Sequence, residues 1–187
     1  MNPNPKFQHL GESVLVVLAQ TRDLAAFQEL VIRYQGRLTY YVRRLVGCTH
    51  ESEDVLQEVW LVVYRRLSTL KSPQAFRVWL FKIAHDLAVN HLRRSARLPK
   101  PLSPEIEQSE ILDTWNEFDA MRDVELVHQT LDSLSHEHRE VLTLRFLEQM
   151  ELSEIAEVVS CSIGTVKSRL HYAKMALRQK IQGEIDE

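Results

Sequence analysis

Glu151-Leu-Ser-Glu-Ile-Ala-Glu-Val-Val-Ser160-Cys-Ser-Ile-Gly-Thr-Val-Lys-Ser-Arg-Leu170-His-Tyr-Ala-Lys-Met-Ala-Leu-Arg178 is the stretch that decides the fold. Its apolar residues recur at helical spacing, and the pattern breaks once, around Ser160. Two helices joined by a tight turn need a small residue where they cross, a residue that accepts the turn, and an apolar anchor early in the second helix. Ala156, Ser160 and Val166 occupy those places, with Ile155, Val159, Ile163 and Leu170 expected around them as core. Lys167, Ser168, Arg169, His171, Tyr172, Lys174 and Arg178 are then expected on the outer faces of the second helix. Polar and cationic side chains near the start of such a helix are what reading a DNA major groove requires. The plainer alternative is a helical hairpin with a solvated basic face.

Working outward, the rest of the chain is helical too. Five glycines and six prolines in 187 residues are about half the usual supply, too few for Gly-rich phosphate loops or many-turned β folds. Leu24, Phe27, Leu30, Val31, Tyr34, Leu38, Tyr41, Val42 and Leu45 predict one long helix ending at a Gly47 cap, preceded by a short apolar helix over Glu12 to Gln20. Thr49 is expected to cap the next helix, whose buried stripe is Val55, Val59, Val62, Val63 and Leu67. Ser72-Pro73 then signals a further start, followed in period by Phe76, Trp79, Leu80, Ile83, Ala84, Leu87 and Leu92. Pro99, Pro101 and Pro104 open an acidic stretch with little periodicity, read as a linker over 97–122. Beyond it, helices are expected around Val124 to Leu134, from a Ser135 cap to Leu147, over Ser153 to Val159, and over Thr165 to Ile181. The fold class is therefore all-α: two small helical domains, 10–96 and 123–187, joined by an acidic, Pro-containing linker.

The net charge of -3 conceals a partition. Residues 1–100 carry +7, residues 101–160 carry -12, and residues 161–187 carry +2. Basic blocks on either side of an acidic middle suggest two polyanion-facing surfaces separated by a segment that polyanions repel. Cys48 and Cys161 belong to no CxxC or Cys/His cluster, which argues against a zinc site or disulfide framework and for a reducing cytoplasm. The longest apolar run, Val14 to Ala19, is far too short for a membrane span. No Walker, HExxH, GxSxG or GxGxxG motif occurs, and His136-Glu137-His138 lacks a third ligand at useful spacing. Neither an enzyme nor a cofactor or metal is expected.

Two further faces bear on function. Asp54, Gln57, Glu58 and Leu61 share one helix face opposite the valine stripe, and such a face is ordinarily just solvated. Arg77, Lys82, Arg93, Arg94 and Arg97 alternate with Phe76, Trp79, Phe81, His85 and His91, a mixture that suits melted nucleic acid, although Phe76 and Trp79 are core by their period.

Together these residues resemble the extracytoplasmic-function sigma factors of bacterial RNA polymerase, over about Leu10 to Ile181. Asp23-Leu-Ala-Ala-Phe27 with Tyr34, Glu53-Asp-Val-Leu-Gln-Glu58, Phe76-Arg-Val-Trp-Leu-Phe-Lys-Ile-Ala84 with His91-Leu-Arg-Arg94, Arg139-Glu-Val-Leu-Thr-Leu-Arg145, and Gly164-Thr-Val-Lys-Ser-Arg-Leu170 carry the resemblance in order. It implies that Asp54, Gln57, Glu58 and Leu61 dock on the core polymerase. It implies a loop from Ser68 to Gln74, with Lys71, Ser72 and Gln74, that captures a base flipped from the minus-10 element. Arg77, Lys82, Asp86, Asn90, Arg93 and Arg94 would line that DNA, and Thr165, Lys167, Ser168, Arg169, His171 and Tyr172 would read the minus-35 element while Lys174 and Arg178 meet phosphates. The acidic linker is either a path through the polymerase interior or an ordinary tether. An anti-sigma partner is an expectation of the resemblance alone. His85-Asp86, Asn90, Glu151 and Ser160 depart from the family pattern. The competing readings are a stand-alone helix-turn-helix regulator and a helical adaptor that binds no DNA.

Overall fold

The computed structural model describes residues 6, 7, 9–47, 49–95, 131 and 134–185. The chain divides into two compact units, Met1–Lys100 and Pro101–Glu187. No strand occurs among the described residues. The linker expected over 97–122, and most of the helix expected around Val124 to Leu134, lie outside them.

The first unit contains α1 (Glu12–Gln20), α2 (Leu24–Val46), α3 (Thr49–Arg66) and α4 (Phe76–Arg94), with single 3-10 turns at Leu67–Thr69 and Pro73–Ala75. The Asp23 carboxylate accepts from the Ala25 and Ala26 amides and caps α2. Gly47 ends that helix at φ 80, a left-handed position that only glycine occupies without a Cβ clash. Thr49 is the first residue of α3, so it does not stand outside the helix as its cap. Ser72 also departs from its expected role. Its backbone is extended, but its hydroxyl donates to Gln74 Oε1 at 3.0 Å, and Pro73 opens a 3-10 turn that hands over to α4.

Leu30, Leu38, Tyr41 and Val42 of α2 pack with Val55, Val59 and Val63 of α3 and with Phe76, Leu80, Phe81, Ala84, Ala88 and Leu92 of α4. Edge-to-face aromatic pairs fasten α2 to α4: Tyr34 to Phe76 at 5.5 Å and Tyr41 to Phe81 at 5.1 Å between ring centres. Trp79, Ile83 and Leu87, expected as core, are half-buried, because the buried face of α4 is set by Phe81 and Ala88.

One buried ion pair anchors the N-terminal segment. Glu29 is 3% exposed, and its carboxylate accepts from Arg33 Nε at 3.1 Å. The other two nitrogens of Arg33 donate to the carbonyls of Leu10 and Phe7 at 2.9 and 2.7 Å. The planar fork of a guanidinium is suited to several acceptors at once. Gln20 acts similarly at the far end of α1, donating to the Leu67 and Leu70 carbonyls.

The second unit contains α5 (His136–Leu142), a π-helical turn at Thr143–Leu147, α6 (Leu152–Val158) and α7 (Ile163–Ile185). The Ser135 hydroxyl accepts from the His138 amide and caps α5, as its position in the sequence predicts. Thr143 donates back to the Arg139 carbonyl where the helix widens into the π turn.

Arg33→Met should destabilise the first unit by about 2–4 kcal/mol, since Glu29 would remain buried with its partner removed. Replacing both residues, Glu29→Leu/Arg33→Met, should recover part of that loss. Urea unfolding of the full chain measures both.

Candidate polymerase and nucleic-acid interfaces

Helical spacing of three and four places Asp54, Gln57, Glu58 and Leu61 on one stripe of α3, and all four are exposed. Leu61 is 55% exposed, an apolar side chain in water at the end of a polar row. Behind the row, Phe27 of α2 meets Tyr64 and Trp60 edge-on at 5.2 and 6.2 Å, and Trp60 Nε1 donates to Gln35 at 2.6 Å. These contacts fix the rotation of α3, so the stripe is presented rigidly.

On α4, Lys82, Asp86, Asn90 and Arg93 follow one another down the face turned from the core. Asp86 Oδ2 lies 3.6 Å from Lys82 Nζ, so the acid that departs from the family pattern offsets a neighbouring cation. Arg94 is exposed beside Arg93 at the helix end. Arg77 is half-buried at the start of α4, and its charge acts on Tyr34, as does that of Arg37. Burial, followed by the hydrogen bond that its hydroxyl donates to Glu12, pushes the Tyr34 phenol far above its ordinary range, and the two arginines pull the other way. Lys71, Ser72 and Gln74 are exposed around the turn before α4.

In the second unit the turn forms as the sequence predicts. Ala156 and Val166 are buried at the crossing, and Ser160 adopts φ 54, a left-handed conformation that costs a non-glycine residue about 1 kcal/mol. The start of α6 uses Glu151 in place of the usual hydroxyl. Its amide donates to the Glu154 carboxylate at 2.8 Å, and its own carboxylate accepts from Arg145 at 3.4 Å. Arg145 also donates to the Met150 carbonyl, and Arg139 to those of Leu131 and Leu134. Both arginines therefore hold turns in place, a role that charge alone does not reveal.

The reading helix departs from expectation at three places. It begins at Ile163, and the Ser162 hydroxyl caps it by accepting from the Thr165 amide at 3.0 Å. Residue type could have found this cap, since serine is among the side chains preferred immediately before the first residue of a helix. Ile163, expected as core, is 46% exposed. Ser168, expected on an outer face, is 6% exposed, and its hydroxyl donates to the Gly164 carbonyl. His171, Tyr172 and Arg178 are exposed, and Thr165, Lys167, Arg169 and Lys174 are half-buried. Lys174 lies over the Phe146 ring at 5.6 Å. The charge of Arg169 acts on His138 of α5 and on Cys161. Burial pushes the Cys161 thiol up and the His138 imidazole down.

No helix among the described residues is long and apolar enough to cross a membrane, and none of their side chains form a group of three or more metal-ligating residues.

Sigma-70 region 2 matches residues 30–98, and sigma-70 region 4 matches residues 130–179. The chain is 31% identical to the ECF RNA polymerase sigma-E factor of Escherichia coli strain K12 over 94% of its own length and 96% of the relative's. The chain belongs to the extracytoplasmic-function sigma factors of the sigma-70 family. The RNA polymerase sigma-H factor of Pseudomonas aeruginosa is 33% identical, over 90% of this chain and 92% of that one. Among solved structures, CnrH in complex with the cytosolic domain of CnrY has a TM-score of 0.66 at 24% identity, covering 92% of this chain and 97% of that one. The sigma factor RpoE of Bartonella quintana, solved with the anti-sigma factor NepR, has a TM-score of 0.64 at 19% identity, covering 83% and 96%. Both share the all-α fold.

Ser160→Gly should stabilise the second unit by about 0.5–1 kcal/mol by relieving the left-handed turn, read as a rise in its melting temperature. Because the His138 pKa is lowered on folding, the unfolded chain binds the proton more readily, so stability is lost as pH falls through the ordinary histidine range near 6.5. Melting at pH 7.5 and 5.5 should show a smaller drop for His138→Gln than for the wild type.

Proposed function

We propose that this sigma factor works through three surfaces, and that the exposed Asp54, Gln57, Glu58 and Leu61 stripe of α3 is the one that recruits core polymerase. The observation that carries this is the company the stripe keeps. An acidic and apolar row on α3 and a basic face on α4 belong to one rigid unit, so docking the first on a protein presents the second to DNA. A stand-alone regulator has no use for that combination.

Lys82, Asn90, Arg93 and Arg94 follow the minus-10 DNA along α4, while Lys71, Ser72 and Gln74 form the lip at which a base unstacked from the duplex is captured. Arg77 supports that lip from the first turn of α4. In the second unit His171 and Tyr172 stand forward on α7 to meet the minus-35 element, with Lys167 and Thr165 beside them and Arg178 on phosphates. Ser168 and Arg169 shape the helix and its seating instead of reading bases. The chain performs no chemistry of its own, the polymerase supplies the catalytic centre, and the complex acts in the cytoplasm. An anti-sigma partner would act by covering one of these surfaces.

Gel filtration of the purified chain with sigma-free core polymerase tests the reading. Wild type should co-elute at submicromolar concentration, and Asp54→Arg/Gln57→Ala should weaken binding at least about tenfold through like-charge repulsion and a lost hydrogen bond. If wild type fails to bind the polymerase while the folded chain shifts duplex DNA alone, the regulator reading replaces this one.

A further inference from the structure

We infer that Ile163 is a specificity-determining residue of this sigma factor, reading the C5 methyl group of a thymine at one position of the minus-35 element. The inference deepens the reading of α7 proposed above and rests on it. Ile163 is the first residue of α7 and is 46% exposed. It stands in phase with Val166, Leu170, Ala173 and Leu177, all of which are buried. The core of the second unit therefore closes without it, and a β-branched apolar side chain is left in water at the leading end of the helix.

The hydroxyls that could read polar base edges from this end of α7 are engaged within the helix itself. The Ser162 hydroxyl accepts from the Thr165 amide at 3.0 Å and pairs with the Thr165 hydroxyl at 2.9 Å. Ser168 is 6% exposed, and its hydroxyl donates to the Gly164 carbonyl. With Val166 buried, residues 163–168 offer a ligand chiefly one apolar side chain, Ile163, and one cation, Lys167. His171 continues the same row, since residues four apart are neighbours on a helix surface.

An apolar side chain in the major groove has one counterpart among the base edges. Guanine, adenine and cytosine present hydrogen-bond donors and acceptors there, and thymine adds a methyl group. Isoleucine set against any of the other three strips water from polar atoms and returns no hydrogen bond. The side chain thus selects twice, by contact with the methyl group and by leaving competing edges unpaired.

The company of Ile163 identifies what covers it. An apolar protein surface would suit the isoleucine alone, but not a row whose next members are Lys167 and the exposed His171. Lys167 supplies attraction to DNA that does not discriminate for thymine. Removing Ile163 therefore changes base preference more than it changes affinity for DNA as a whole.

The test uses holoenzyme reconstituted with core polymerase and a promoter library randomised through the minus-35 and minus-10 elements, with the transcripts sequenced to give base preferences at each position. Wild type should prefer thymine, on one strand, at one minus-35 position. Ile163→Ser should lower that preference about three- to fivefold, the worth of one buried methyl group, and leave the other positions unchanged. Ile163→Val should keep most of it. Deoxyuridine in place of that thymine removes the methyl group alone, so it should weaken wild-type binding by a similar factor and make no difference to Ile163→Ser. Because no charge is altered, the slope of log affinity against log salt should be the same in all three proteins. Unchanged preferences in Ile163→Ser, or indifference of the wild type to deoxyuridine at every thymine of the element, would overturn the inference. So would a uniform loss at all positions, which would make Ile163 structural. Weaker polymerase binding with base preferences intact would also overturn it and assign the side chain to a protein contact. Failure of the wild-type chain to co-elute with core polymerase, scored separately by gel filtration, would remove the sigma reading and this inference with it.

Discussion

Two aromatic contacts between α2 and α4, Tyr34 on Phe76 and Tyr41 on Phe81, hold the arrangement on which the first unit depends. Both helices carry an excess of positive charge, arginines on α2 and arginines with a lysine on α4, and bringing them together in water would be resisted by like charge. Large ring faces buried at the seam offset that repulsion, because each aromatic side chain removes a substantial apolar area from water. Once the rings are inside, the outward directions of α2, α3 and α4 are fixed. The acidic row of α3 and the basic faces of α4 and α2 are what remain outside.

Much of this was legible in the sequence, because helical periodicity reports which face of a helix is apolar. The long α2 helix, its Gly47 stop, the Ser135 cap and the buried Ala156 and Val166 all follow from spacing and residue type. Periodicity reports a direction, however, and not what lies in that direction. Ile163 is in phase with the core of α7 but sits in its first turn, and it is exposed. Ser168 is out of phase, yet it is shielded and bonded back to its own helix. The polar clasps were invisible for a related reason: that Arg33, Arg139 and Arg145 hold backbone carbonyls depends on turns whose paths no local pattern specifies.

The second unit shows how a departure from a family pattern can be absorbed. Glu151 caps the start of α6 with a carboxylate in place of a hydroxyl, in a reciprocal box with Glu154, and the Arg145 guanidinium lies against that carboxylate. Ser160 tolerates a left-handed backbone at a cost smaller than what the buried crossing of Ala156 and Val166 returns. Neither substitution alters the path of the chain. Their effect is on how firmly α6 and α7 are held.

Gln20 ties the end of α1 to the carbonyls of Leu67 and Leu70, just ahead of the exposed Lys71 to Gln74 turn. A side-chain amide bridging two carbonyls three residues apart removes conformational freedom from the root of that turn during folding. Whatever docks on the tip then encounters a support already ordered, and less of its binding free energy is spent on immobilising the chain. The apolar helix α1, which has no charged face to offer DNA, thereby acts as a strut that sets the entropy of a neighbouring recognition loop.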